Sequence, residues 1–180
     1  MSERPTVSLD GVDWPVTGAQ LVLVRDGHVF VQLRPWPPGW ELPGGHCDRD
    51  EDPADAAVRE AEEETGYRVR VTGLAGVYTW AGLRHTSDAV YVGEITGGEW
   101  RRSLEAVRHR FVDPRHLPHT VFPWIPQRIT DAVAAHGGAA PVHRTQPVSL
   151  AHVLFFGARW LAVLVDAARR GRGRRRRRAR

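Results

Sequence analysis

The chain is expected to fold as an α/β sandwich, and three observations carry that expectation. Two apolar, β-branched runs, residues 20–25 and 28–34, flank Asp26-Gly27, a dipeptide that favours the positive φ angles of a type I′ hairpin. A stretch with helical spacing opens at Asp52-Pro53 and stops at Gly66. Further strand-like runs then lead to a second helical stretch. At 180 residues the chain can bury one good core, so a single domain is expected.

The elements follow in order. After the predicted hairpin comes a loop rich in proline and tryptophan, RPWPPGW, which delivers the chain to Leu42, Pro43, Gly44 and Gly45. Asp52 has the chemistry of an N-cap, Pro53 suits the first helical position, and Asp55 adds a favourable charge to the first turn. Within this helix Ala57, Val58, Ala61 and Thr65 form a face that can pack on a sheet, while Glu60, Glu63 and Glu64 share the adjacent face. Strands are expected at 67–71, 76–80, 89–95 and 106–112, with Gly97-Gly98 as a turn, and a second helix at 124–135. The sequence GGAAP after His136 marks a linker. No internal repeat is present.

Charge is unevenly spread. All 25 basic residues are arginine, and nine of them lie from Arg169 onward. The other sixteen face 21 acids, so residues 1–168 carry about −5 and the formal +4 belongs to the tail. The basic isoelectric point is therefore no evidence for a nucleic-acid-binding core, and nucleic acid is not an expected partner. Cys47 is the sole cysteine, which excludes an intrachain disulfide and a thiolate zinc site and points to a reducing cytoplasm. The first residues carry acids and no apolar core segment, so no signal or transit peptide is expected.

Chemistry concentrates between Gly45 and Tyr67. Three glutamates on one and a half helical turns raise one another's pKa unless a cation neutralises them, which reads as a divalent metal site with oxygen ligands suited to Mg2+ or Mn2+. The competing reading of such a run is a solvated, charged face. Its wording decides between them: Gly45, five residues, Glu51, seven residues, then Arg59, Glu60, Ala61, Glu62, Glu63, Glu64, Thr65, Gly66 and Tyr67. This box resembles that of the Nudix hydrolases, and similar flanks, WELPGG before it and FVDPRHLP after it, extend the likeness to residues 15–137.

The resemblance implies a Nudix-type α/β/α sandwich with a mixed β-sheet, the box forming loop, helix and loop. It implies a metal-dependent pyrophosphohydrolase that cleaves a nucleoside diphosphate linked to another moiety. In it Glu60, Glu63 and Glu64, with the Gly44 carbonyl, would hold the cation. Glu63 rather than Glu60 would polarise the attacking water. Glu105 matches the base or extra ligand found near the last strand of many members, with Glu94 and Glu99 as nearby alternatives. Arg59 would pair with a box carboxylate, and Glu51 would either support the ligands or reach the metal itself. Gly45 and His46 are candidate phosphate contacts, and Trp36, ahead of Trp40, a stacking platform for a nucleobase. His116 and His119 read as surface residues, and Cys47 as a variable box position. The box departs from the family at Asp48 and Asp50, where glutamate and glycine are common, so a changed loop geometry is expected. Residues 81–85 carry neither the proline nor the tyrosine that marks particular substrates. The alternative function is a non-catalytic nucleotide sensor signalling through its C-terminal helix.

These features divide the chain into a hydrolase domain at 1–137, a linker at 138–147, an apolar helix at 148–169 and an arginine-rich tail at 170–180. The apolar segment reads either as a helix packed on its own domain or on a second subunit, giving a homodimer, or as a membrane-surface helix on the cytoplasmic face whose tail is drawn to anionic lipid. A true span is disfavoured by Arg159 near its centre. Every candidate catalytic residue precedes the linker, so a chain ending near Ala140 is expected to keep its chemistry.

Overall fold

The structure is a computed structural model that describes residues 4–82 and 86–148, together with the helical residues 154, 157, 158 and 161. Two strands, β1 (Thr6–Leu9) and β2 (Val12–Pro15), form a small antiparallel hairpin. A larger sheet contains β3 (Gly18–Arg25), β4 (His28–Pro35), β5 (Pro38–Glu41), β6 (Gly44–His46), β7 (Tyr67–Gly82), β8 (Ser87–Gly98), β9 (Arg108–Val112) and β10 (Val142–Val148). Helices α1 (Pro53–Thr65) and α2 (Ile125–His136) complete the fold.

The sheet is mixed. Its order is β10-β7-β8-β3-β4-β5, with β9 beside β4 and β6 beside β3. β3 runs parallel to β8 and β10 parallel to β7, whereas the other pairs are antiparallel. β3 gives its end at Val24 and Arg25 to β4 and its start at Gly18, Ala19 and Gln20 to β6. The sheet therefore splits beside β3, and α1 and the cleft lie at that split.

Alternation along the strands explains the two layers of core. Leu21, Leu23, Phe30 and Val77 pack with Ala56, Ala57 and Ala61 of α1. Val22, Val29, Val31, Tyr78 and Val90 pack with Ile125, Ile129 and Ala132 of α2. Successive side chains of a strand face opposite sides, so one run of apolar residues serves both helices.

The expected hairpin forms as read: Asp26 and Gly27 adopt φ of 51° and 72°, the mirror-image turn that matches strand twist. Several details differ from expectation. The runs at 67–71 and 76–80 are one strand, β7, whose pairing with β8 shifts register between Arg68 and Val69, between Val71 and Gly73, and between Leu74 and Gly76. Bulges take up the extra residues, so the apolar alternation breaks while the strand continues. Gly97-Gly98 is not a turn but the end of β8, opposite Arg68 and Tyr67. The proline-rich loop contains β5.

The largest correction concerns residues 138–147. They are not a linker: Gly137 and Gly138 turn the chain out of α2 into β10, which pairs with β7 from Val142↔Gly76 to Val148↔Gly82. Polar groups hold this strand down. Arg144 donates to both carboxylate oxygens of Asp131 at 2.7 and 2.8 Å, and Gln146 accepts from Arg128 at 3.0 Å while donating to the Trp124 carbonyl at 2.9 Å. The expected C-terminal helix and arginine tail fall outside the described residues, apart from the four helical positions, as does any homodimer or membrane contact through them. Among the described residues no helix is long and apolar enough to cross a membrane.

Loss of the Gln146 amide leaves the Arg128 Nε without its acceptor in a buried setting. Gln146→Leu is therefore expected to destabilise the fold by roughly 1–3 kcal/mol; equilibrium denaturation tests this, and an unchanged midpoint would remove β10 from the cooperative core. Cutting the chain at Ala140 removes the whole strand and should lower stability further.

Candidate functional site

The box folds as loop, helix and loop. Asp52 caps α1 by accepting from the Ala54 amide at 2.7 Å, Pro53 occupies the first turn, and Gly66 ends the helix in the left-handed region at φ 77°. Asp50, where glycine is common, itself adopts φ 65°. Aspartate tolerates this conformation better than most residues, so the glycine-like turn is kept despite the substitution.

Gly44 and Gly45 run directly against α1 and β3. A Cβ at Gly44 would stand 2.3 Å from the Ala19 carbonyl oxygen, and one at Gly45 would stand 2.5 Å from the Glu60 carboxyl carbon. Gly44 also needs its φ of 143°. Nothing larger than glycine fits this passage.

Two separate groups of carboxylates result. Arg59 lies within the first. Its guanidinium donates to both oxygens of Glu51 at 2.8 and 3.0 Å, to Glu60 at 2.9 Å and to the His46 carbonyl at 3.1 Å, with Glu63 at 3.7 Å. Glu51 also accepts the Asp48 amide at 2.9 Å. Arg59 and that amide together hold the Glu51 carboxyl below the usual carboxylate range.

Glu64 anchors the second group and faces the cleft. Buried on the inner side of α1, it accepts from the Gly44 amide at 2.9 Å and from Gln32 at 2.6 Å, both through Oε2. Burial pushes the Glu64 carboxyl up to about 8 against the opposing pull of its two donors. Glu41 and Glu105 both lie near enough to raise its proton affinity further. Burial likewise raises Glu41 to about 7, although Arg34 donates to it at 3.2 Å.

A cleft of about 890 Å³ opens over this second group. Gly44, Gly45, His46, Glu60, Glu64 and Glu105 are part of its lining. The other expected residues lie elsewhere. Glu63 extends outward, with 64% of its side chain exposed, and Arg59 and Glu51 lie behind the lining. Trp36 is 82% exposed at the β4–β5 tip and does not line the cleft, because the hairpin carries it past the rim. Trp40 is buried in the core. Of the three acids weighed near the last strand, only Glu105 lines the cleft; Glu94 instead pairs with Arg70 at 2.6 Å.

The metal-binding expectation can be tested against this geometry. Among the described residues no three histidine, cysteine, aspartate or glutamate side chains converge to hold one ion. Glu60 and Glu63 turn onto Arg59, while Glu64 turns onto Gly44 and Gln32. The donor chemistry still fits: the candidates are all hard oxygens, and three carboxyls crowd the cleft wall with two of them raised.

Sequence reasoning missed Gln32, Arg34 and Glu41. The alternation of Gln32 with Arg34 and the pairing of Gln32 with Glu41 would have shown them on one face had β5 been recognised. Trp80, Asp88, Trp124 and Arg128, which also line the cleft, had no local signal because three separate elements, β7, β8 and α2 with its N-cap, contribute them.

The NUDIX domain signature matches residues 12–131. The CMP-5'-(N-acetyl-N-hydroxy-3-aminopropyl)phosphonate hydrolase of Streptomyces rubellomurinus is 46% identical over 83 residues, which are 44% of this chain but only 39% of that protein. The ADP-ribose pyrophosphatase of Methanocaldococcus jannaschii is 29% identical over 125 residues, 66% of this chain and 68% of the other. In fold, the chain resembles the crystal structure of a NUDIX hydrolase from Nitrosomonas europaea, with a TM-score of 0.65 over 81% of each chain at 18% identity. With the box, its capped helix and the mixed sheet all in place, the chain belongs to the Nudix family and is a hydrolase of phosphoanhydride bonds.

Proposed function

We propose that this hydrolase cleaves a nucleoside diphosphate joined to another moiety, such as a nucleotide sugar or a modified nucleoside triphosphate, with Mg2+ or Mn2+ bound at the box. The single observation that carries the reading is the cleft: its lining divides between glutamates with a glycine passage and two tryptophans with a buried arginine. A pyrophosphate alone needs far less space. The two relatives are named for nucleotides joined to a second group, a CMP-linked phosphonate and ADP-ribose, which agrees with this division.

Glu60, Glu63 and Glu64 and the Gly44 carbonyl are the oxygens that would hold the cation, which would neutralise phosphate oxygens and acidify a bound water. The water oxygen bonds to phosphorus as the bridging P–O bond breaks, releasing two phosphorylated fragments. Its proton passes to a carboxylate. Glu63 is the first candidate because it is the least confined of the box acids, and Glu105 is the second because it reaches the cleft beside Glu64. Arg59 keeps Glu51 and Glu60 oriented, Gln32 fixes Glu64, and His46 stands beside Gly45 where a phosphate would enter. A pure nucleotide sensor would have no use for this intact set.

Glu63→Gln and Glu64→Gln should each lower turnover at least ~100-fold while leaving the fold intact. Near-normal kcat in both variants would remove the assigned site. Chelator should abolish hydrolysis and Mg2+ or Mn2+ restore it; product mass across a panel of nucleotide sugars, oxidised nucleoside triphosphates and dinucleoside polyphosphates then identifies the bond cut.

Acidity gives a third test. The folded-state value of Glu64 lies above its unfolded one, so the native state binds the extra proton between about 4.5 and about 8. The stabilisation linked to that proton is complete below 4.5 and is lost as pH rises through 8. Metal-free protein should therefore be more stable near pH 5 than near pH 9, and Glu64→Gln should flatten the difference. Thermal melts in chelator give the comparison; a variant with the wild-type slope would place the effect elsewhere.

A further inference from the structure

One part of the cleft lining is built around a buried charge, and Gly18 joins it to the box by pairing with His46 on one side and Asp88 on the other. Arg128, with 1% of its side chain exposed, uses its guanidinium on three acceptors: Gln146 at 3.0 Å, Gln20 at 2.7 Å and Asp88 at 3.0 Å. It also stands 5.1 Å from the Tyr78 ring centre and 5.0 Å from that of Trp80. An arginine so enclosed, with its donors committed to the protein, is poorly placed to bind phosphate itself. Its effect is to fix Asp88.

Asp88 receives a second donor on the same oxygen. Trp80 Nε1 donates to Oδ2 at 2.7 Å, so Arg128 and Trp80 both bind that oxygen. The carboxylate orientation is thereby set, and Oδ1 lies beside Gly18, where a Cβ would stand 3.0 Å from it. Glycine at this position spares Oδ1 that contact; both residues line the cleft, and 18% of the Asp88 side chain is exposed. Trp80 and Trp124, in edge contact at 5.0 Å between ring centres, supply planar apolar walls.

We propose that Asp88 is a specificity-determining residue that reads the exocyclic amine of a nucleobase through Oδ1, with Arg128 and Trp80 as its positioning residues. This deepens the proposed function and rests on its nucleotide reading. A fixed carboxylate accepts hydrogen bonds and cannot donate them, so it favours an amino group and repels a carbonyl at the same place. Cytosine and adenine satisfy it; uracil and hypoxanthine present a carbonyl oxygen instead. The aromatic walls suit a planar base, whereas a sugar hydroxyl would gain little from them.

The test measures equilibrium binding of CMP, UMP, AMP, IMP and 2′-deoxy-CMP to the full-length, metal-free protein by calorimetry. CMP should bind at least ~10-fold tighter than UMP, and AMP than IMP, because the wrong base leaves a buried acceptor unpaired. Asp88→Asn, whose amide can present either a donor or an acceptor, should bring both ratios below ~3-fold. Asp88→Glu keeps the charge opposite Arg128 but displaces the free oxygen, and should weaken discrimination equally; it serves if the asparagine variant fails to fold. Arg128→Lys keeps the charge but loses the three-way fork, and should also narrow the ratios. Wild-type ratios near 1, a folded Asp88 variant that keeps the full preference, or discrimination only between CMP and its deoxy form would each overturn the proposal. The readout needs neither metal nor turnover. Protein that selects CMP yet never hydrolyses a nucleotide-linked pyrophosphate would sink the proposed function alone, while an active enzyme indifferent to the base would sink only this inference.

Discussion

Gly44 is pressed against the backbone of β3 and Gly45 against the Glu60 carboxyl of α1, and most of the site follows from that double closeness. The Gly44 amide reaches the Glu64 carboxylate directly, which draws one end of an acidic helix against the sheet. Burying a carboxylate in this way is unfavourable without donors, and Gln32 supplies the second one from the neighbouring strand. A single added methyl at Gly45 would meet the Glu60 carboxyl group and displace it from Arg59.

Countercharge is divided between the two sides of this helix. On the outer side Arg59 gathers Glu51 and Glu60 and approaches Glu63. On the inner side, among the described residues, no guanidinium bonds to Glu64, and burial moves its proton affinity upward instead. The Arg128 cluster solves a similar problem with opposite sign, placing one buried arginine against one aspartate and two glutamine side chains. Both arrangements follow the rule that buried charge persists only where hydrogen bonds surround it.

How much of this could be read from the chain depended on whether the signal was local. The Asp26-Gly27 turn, the Asp52 cap, the Gly66 stop and the glutamate face are short-range chemistry, and each takes the form its residues require. Strand β10 was missed because VHRTQPV is an edge strand whose inward groups, Arg144 and Gln146, meet polar partners on α2, so hydrophobic alternation is absent. β7 was divided in two because its bulges interrupt the period. Nearness to the box in sequence singles out Trp36 and Trp40, a criterion that cannot see one of them carried outward and the other buried while Trp80 and Trp124 line the cleft from distant elements.

Arg59 gives the chain an ion of its own. One guanidinium among the three outer carboxylates offsets part of their mutual repulsion, and burial raises the proton affinity of the inner one, so part of the charge on this helix is met by groups of the chain itself. The helix can therefore pack on the sheet with countercharge already in place, unlike small zinc domains whose folding free energy is the binding free energy.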